Sequence, residues 1–278
     1  MKKIVLTLLA IIVFQNSFAC LNGDTKELTN GFVLYQHSEY EEVPYGHDFL
    51  IDSYKELYKE LDNLYKKANN IAYLSDKGYV LIVQGKYRQA VELYLKIEKL
   101  DSNRYSTASN LGTAYELLGQ NENALKWIKK SVQINEESHN HSEWLHVKIL
   151  EAKINGQKFI TDQFLLGTSF GLEAEPKTKL SKKELLKLEK ALFYQLNERI
   201  SFVKPKDKIV ARLLFELGNI NFLLGNLKNA KKNYEQAQKY GFSDSILDLR
   251  TEQTDKIVVK IEKNNIQHLH GICRKRRN

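Results

Sequence analysis

At 278 residues, 42% of them hydrophobic and only three of them proline, the chain suits one elongated array of long helices or one to two compact domains. Its formal charge of +8 sits at the ends: Lys2 and Lys3 open the chain, and the stretch from Asp255 onward carries seven basic against two acidic side chains, leaving the body between them close to neutral. That distribution argues against a nucleic-acid face, which needs positive charge clustered on the folded surface, and two cysteines allow at most one disulfide, Cys20 to Cys273.

Residues 1–19 read as a signal peptide, with Lys2-Lys3 ahead of an apolar run from Ile4 to Phe14 and a small-x-small cleavage site at Ser17-Phe18-Ala19. The run is about eleven residues, against the roughly twenty that a permanent membrane span needs. The pattern resembles a bacterial signal peptide and implies export to the periplasm or cell envelope. Cys20, directly after Ala19, is similar to the acylated cysteine of bacterial lipoproteins, although Ser17 and Phe18 depart from that motif. Ordinary cleavage, leaving Cys20 free or paired with Cys273, is the alternative reading.

Residues 20–50 form an extended amino-terminal segment, with turn signals at Asn22-Gly23 and Asn30-Gly31 around a short strand or packing segment at Phe32–Tyr35. Ser53 with Glu56 is a capping box. Tyr54, Leu57, Tyr58, Leu61, Leu64, Tyr65 and Ala68 then give one apolar helical stripe, a capping helix at the start of a unit covering 51–156.

Within that unit one pattern is written twice, thirty-four residues apart. Gly78 recurs as Gly112, Gly85 as Gly119 and Ala90 as Ala124, and Tyr94 and Ile128 follow the alanines by four. Each copy reads as helix, glycine turn, helix, and a period of this kind marks a stacked repeat architecture. The small residues belong where paired helices pass closest. His139–Ile154 begins a third copy, with its first helix and no partner. Residues 157–180 are an irregular insertion, too apolar for a solvated linker, that is expected to pack on the helices. Ser181 and Glu184 cap a long helix through Phe202, and Ile209–Tyr240 is the last copy, within a unit covering 181–250. In the basic carboxy-terminal tail, 251–278, the β-branched run Ile257–Ile261 is strand-like, with a helix as the alternative for so short a run, and the Arg274–Arg277 end is expected to be disordered.

Leu111-Gly112, Tyr115, Gly119, Ala124 and Ile128, and again Leu217-Gly218, Gly225, Ala230, Tyr234 and Ala237, resemble the tetratricopeptide repeat. The resemblance implies an all-α, right-handed α-solenoid of helix hairpins that docks a protein or peptide ligand and acts as an interaction or scaffolding module. By register its concave face would hold Ser75, Tyr79 and Ile82, then Ser109, Thr113 and Glu116, then Arg212, Phe215, Asn219 and Phe222. Of these, Tyr79, Thr113, Glu116, Arg212, Phe215, Asn219 and Phe222 are the candidate partner-binding residues.

Chemistry is sparse. There is no Gly-x-Ser-x-Gly elbow, phosphate-cradling glycine loop or His-Glu-x-x-His pair, so neither a catalytic role nor a cofactor is expected. His139-x-His141 and His268-x-His270 lack the further ligands a tight metal site needs. Two alternatives stand beside the interaction module. One is an enzyme with a site in the insertion, where Asp162, Glu173 and Glu175 are the titratable groups; the other is a peripheral membrane or polyanion binder acting through the basic tail.

Overall fold

Ser53 opens the first helix as its spacing predicts: Oγ accepts the Glu56 N–H at 3.4 Å, α1 runs Tyr54–Ala68, and Asn69 ends it in the left-handed region at φ 49. In the computed structural model the described residues are 25–36 and 43–275, with the backbone alone described at Thr25, Asn140, Glu262 and 264–275. The leader, Cys20 and the carboxy-terminal end from 276 lie outside them.

Two hairpins follow α1: α2 (Ile71–Val83) with α3 (Tyr87–Leu100), and α4 (Tyr105–Leu117) with α5 (Asn121–Ile134). Their turns need positive φ at Gly85 (77) and Gly119 (75), where any side chain would be strained. The repeated glycines inside the helices have a different role. A Cβ on Gly78 would lie 2.5 Å from the Tyr94 ring, and one on Gly112 would lie 2.5 Å from Ile128 Cδ1. The apolar residue of each second helix is seated against bare backbone of the first. Gly218 repeats the arrangement against Tyr234 in the last hairpin, α10 (Lys208–Leu223) with α11 (Leu227–Tyr240).

The third unit departs from this. A short α6 (Ser138–His141) precedes α7 (Glu143–Asn155), and thirty-four residues beyond Gly112 stands His146. With an imidazole in the glycine's place, no second helix can seat against the backbone there. The chain instead makes a 3-10 turn at Gln157–Phe159, a short α8 (Asp162–Leu166) capped by Thr161, and a loop to Ser181. Leu165 and Phe170 carry this insertion into the core. The long α9 (Lys182–Phe202) then starts with a complete capping box between Ser181 and Glu184.

The architecture is the all-α array of helix hairpins that the repeats predict. Its largest apolar cluster joins α7, the insertion and α9 to α11, with Ile246 and Leu247 of α12 (Ser245–Lys275), and a second cluster fills the first hairpins. The strand expected at Phe32–Tyr35 forms as β2 (Val33–Gln36), antiparallel to β1 (Thr25–Glu27), and Leu34 and Tyr35 pack with Leu57 and Leu61 of α1. The strand expected at Ile257–Ile261 does not form: α12 continues through it to Lys275. The helix is fixed upstream, by buried Arg250, which donates to the carbonyls of Phe170 and Gly171 in the insertion, and by a Lys231–Asp255 ion pair to α11 at 2.7 Å. That docking overrides a local β-branched preference worth at most about 1 kcal/mol.

Candidate functional site: the occupied groove

The face of α4 that the register assigns to the concave side, with α6 and α7 beside it, is covered by the chain's own α9. The second half of α9 is buried on nearly all sides, unlike a surface helix with one apolar stripe. Its polar groups there each have a matched partner. Gln195 Nε2 donates to Ser142 Oγ at 3.1 Å, the Tyr194 ring stacks on His139 at 5.3 Å, and Asn197 Oδ1 accepts the N–H groups of Tyr45 and Gly46 at 3.1 and 2.8 Å. The segment around His47 straps α9 from the opposite side: His47 N–H donates to Ser201 Oγ at 2.8 Å and its ring pairs with Glu198 at 2.9 Å. The strap lies so close that a Cβ on Gly46 would come within 2.9 Å of Ser201 N.

Charge fixes the centre of this contact. Glu116 of α4 accepts from Arg199 Nη1 at 2.6 Å and Nη2 at 3.3 Å, from Lys153 Nζ at 2.7 Å and from His146 Nε2 at 2.6 Å. Burial alone would raise the Glu116 carboxyl, but Arg199, Lys153 and His146 together hold it well below the usual carboxylate range. One turn from His146, Glu143 is fully enclosed. It is bonded to His139 and accepts from Tyr105 OH at 3.2 Å, Ser109 Oγ at 3.5 Å and Ser131 Oγ at 3.4 Å. Burial pushes this carboxyl up as well, and His139, His146 and Tyr105 outweigh it, bringing the group down to about 2. A cavity of about 60 Å³ remains between α4, α7 and α9, lined by Thr113, Glu116, Lys153, Tyr194 and Arg199 among others. That is room for a few water molecules.

Of the candidate partner-binding residues, Thr113 and Glu116 meet at this cavity together with Ser109. Tyr79 is buried at 2% exposure, and Ser75 and Ile82 are equally enclosed. The last-repeat set lies elsewhere and is covered too. Phe215 stacks on Phe242 at 4.3 Å, and Asn219 Oδ1 accepts from Tyr234 OH at 2.9 Å. Phe222 packs against the core, and Arg212 pairs with Glu216 at 2.6 Å and Asp162 at 3.3 Å. These residues hold the interior together and do not present an open ligand face. Burial lifts the Glu216 carboxyl to about 7, against the pull of Arg212, which Asp162 shares.

Sequence reasoning missed Glu143, His146, Lys153 and Arg199, which come from α7 and α9 and carry no local motif. The only signal was positional, in that His146 occupies the glycine phase of the repeat. His139 was weighed as half of a metal pair and is instead a partner of Glu143. His268 and His270 fall in the part of α12 whose backbone alone is described. No cluster of three or more His, Cys, Asp or Glu among the described residues is arranged to hold a metal, and none of their helices is long and apolar enough to cross a membrane.

Residues 105–138 and 211–240 match the model of the tetratricopeptide repeat family. No curated protein matches the chain. Among solved structures, the "MamA RS-1 ArsTM double mutant" aligns at 16% identity and TM-score 0.37, covering 68% of this chain and 85% of that one. A tetratricopeptide repeat protein from Parabacteroides merdae ATCC 43184 aligns at 15% identity and TM-score 0.33, covering 72% and 98%. Naa15/Naa10 bound to HypK-THB aligns at 20% identity and TM-score 0.31, covering 75% and 32%. The two matched segments, each holding a helix glycine seated against an apolar side chain of the next helix, are tetratricopeptide repeats within the chain.

Proposed function

We propose that the chain is a non-enzymatic protein-interaction module of the bacterial cell envelope, exported through residues 1–19. It binds a protein or peptide partner. The observation that carries this reading is how the chain uses its own groove. The second repeat unit and the open third one grip a helix, α9, through a bidentate arginine–carboxylate contact and a matched amide bond, which is the physics of helix recognition carried out within one molecule. The buried carboxylates are both taken up within the fold, Glu116 by Arg199 and Lys153 and Glu143 by His139 and three hydroxyls, an arrangement that supports positioning of a helix over turnover of a substrate. Cys20 either carries an acyl anchor or stays free or paired with Cys273.

Affinity capture of the tagged mature protein from its native envelope, read by mass spectrometry, tests this. A co-purifying envelope protein is expected, together with an amino-terminal peptide beginning at Cys20, whose mass shows whether an acyl group is attached. A chain that retains residues 1–19 and captures nothing beyond the untagged control overturns the reading.

A further inference from the structure

Because α9 fills the concave face, a second protein needs another surface, and the described residues contain an open one. Between α7, α8 and the first half of α9 lies a recess of about 500 Å³, within the size range of binding clefts. Its walls are apolar: Trp144 on one side, Leu166 and Leu180 at the base, Leu188 and Ala191 on the α9 side. Trp144 keeps 39% of its surface exposed there. A solvent-facing indole beside a concave apolar floor marks an interaction surface more often than a bare accident of folding.

The rim supplies the charge. Glu184, Lys187, Leu188 and Ala191 stand at i, i+3, i+4 and i+7 on α9, so Lys187 projects from the same face as the apolar floor, with Lys183 and Lys190 one turn either side. Among the described residues none of Lys182, Lys183, Lys187 and Lys190 makes an ion pair within 4 Å. Glu184, itself on the rim, and Glu189 attract Lys187 and Lys190 through space, while their hydrogen bonds go elsewhere: Glu184 bonds to Ser181 N and Oγ at 2.7 and 2.6 Å as the helix cap, and Glu189 accepts from Asn221. The recess is therefore apolar within and positive at its edge.

We propose that this recess is the partner-docking site and that its occupant is an acidic amphipathic segment of another protein, with a bulky apolar side chain packed on Trp144 and its carboxylates on Lys183, Lys187 and Lys190. The inference rests on the interaction-module reading and names the partner's chemistry. A lipid bilayer fits less well, because the apolar surface is the floor of a concavity and a membrane plane meets only the rim. A second copy fits less well too: Val259 and Ile261 of α12 sit among Lys256, Lys260 and Lys263, and beside exposed Leu172 the acids already have partners, Glu173 in Lys177 and Glu175 in Gln253.

The probe is a labelled fifteen-residue peptide with leucine at helical spacing and glutamate elsewhere, compared with its lysine-for-glutamate counterpart and with vesicles of one part anionic to four parts neutral lipid. Fluorescence anisotropy reads binding to the mature chain, and Trp144 emission is followed in a Trp127→Phe background. The acidic peptide is expected to bind and shift the Trp144 emission. The double variant Lys187→Glu, Lys190→Glu should weaken that binding roughly tenfold or more, with unchanged circular dichroism, because two favourable charge contacts become repulsive. Equal binding of both peptides, vesicle binding that the variant abolishes, or self-association seated on the recess would each overturn the proposal. The same variant is carried through the envelope capture: a partner it retains at wild-type yield sinks the recess while leaving the interaction module intact.

Discussion

Arg199→Met tests whether α9 is held in the groove by charge pairing. The substitution keeps most of the side-chain volume and removes the guanidinium that donates twice to Glu116. Both side chains are under 10% exposed, so the contact is not screened like a surface pair. Breaking a buried pair from one side costs about 3–5 kcal/mol, because the surviving charge stays buried. Here Lys153 and His146 still contact Glu116, which places Arg199→Met near the low end, at about 3 kcal/mol. Glu116→Leu removes the centre of the cluster, leaving buried Arg199 without its carboxylate, and should reach the upper end. The double variant removes the mismatch between the two sites, so its cost should fall short of the summed single costs by about 2 kcal/mol or more. Urea unfolding followed by circular dichroism gives the three values, and hydrogen exchange across 190–202 reports whether α9 loosens before the rest. Additive costs, or an Arg199→Met effect below about 1 kcal/mol, would refute charge pairing as what holds α9.

Gly112→Ala should destabilise by about 1–2 kcal/mol, since over-packing against Ile128 exceeds the gain in helix propensity of about 1 kcal/mol. A second change, Ile128→Ala, empties the space the new methyl enters, so the two costs should be less than additive in thermal unfolding; strict additivity would contradict the close approach. Glu216 has its carboxyl raised to about 7, so the fold favours the protonated form. The stability it contributes is full below the ordinary carboxylate range and is lost as pH rises through about 7, a loss of about 3 kcal/mol at most. Glu216→Gln should flatten urea midpoints between pH 5 and 8, and a slope parallel to wild type would show that burial does not raise this group. Glu143, held down to about 2, has the opposite sign: its contribution is present above the ordinary range and fades as pH falls toward 2. Arg250 donates to the carbonyls of Phe170 and Gly171 at 2.8 and 2.6 Å, and its guanidinium lies 5.2 Å from the Phe215 ring. Arg250→Lys cannot reproduce that fork. It should speed proteolysis within 167–179, while unchanged cleavage would mean the insertion is held by its apolar contacts alone.

The hairpins were legible because a glycine that must accept an aromatic or isoleucine side chain leaves its mark at a fixed interval, and Gly78, Gly112 and Gly218 each show the predicted contact. The register also put Ser109, Thr113 and Glu116 on one face correctly, and all three line one cavity. What it could not show was the occupant of that face. The leucine stripe of α9 reads as one apolar side from Leu185 to Ile200, yet the opposite side carries Gln195 and Arg199, whose partners lie in segments 53 and 83 residues away. Pairings at that separation have no local signature. The strap at Tyr45–His47 likewise carries no local sign of its bonds to Asn197 and Ser201.

One substitution in the repeat phase accounts for much of what distinguishes this chain. Gly112 lets α5 close onto α4 through Ile128. At the matching place in the third unit, His146 turns its Nε2 to Glu116 and keeps a closing helix away, so the hairpin stays open. The insertion spans the gap, α9 enters from the far side, and the polar side chains its second half brings are those that meet Glu116, Ser142 and the 45–47 strap. The first half of α9, beyond the reach of the groove, places its lysines at the rim of the Trp144 recess. The repeat that fails to close thus both fills the groove and leaves a different surface free. Restoring glycine at 146 would remove a donor to Glu116 without supplying a helix to seat there, so it should destabilise the chain and leave the third unit open.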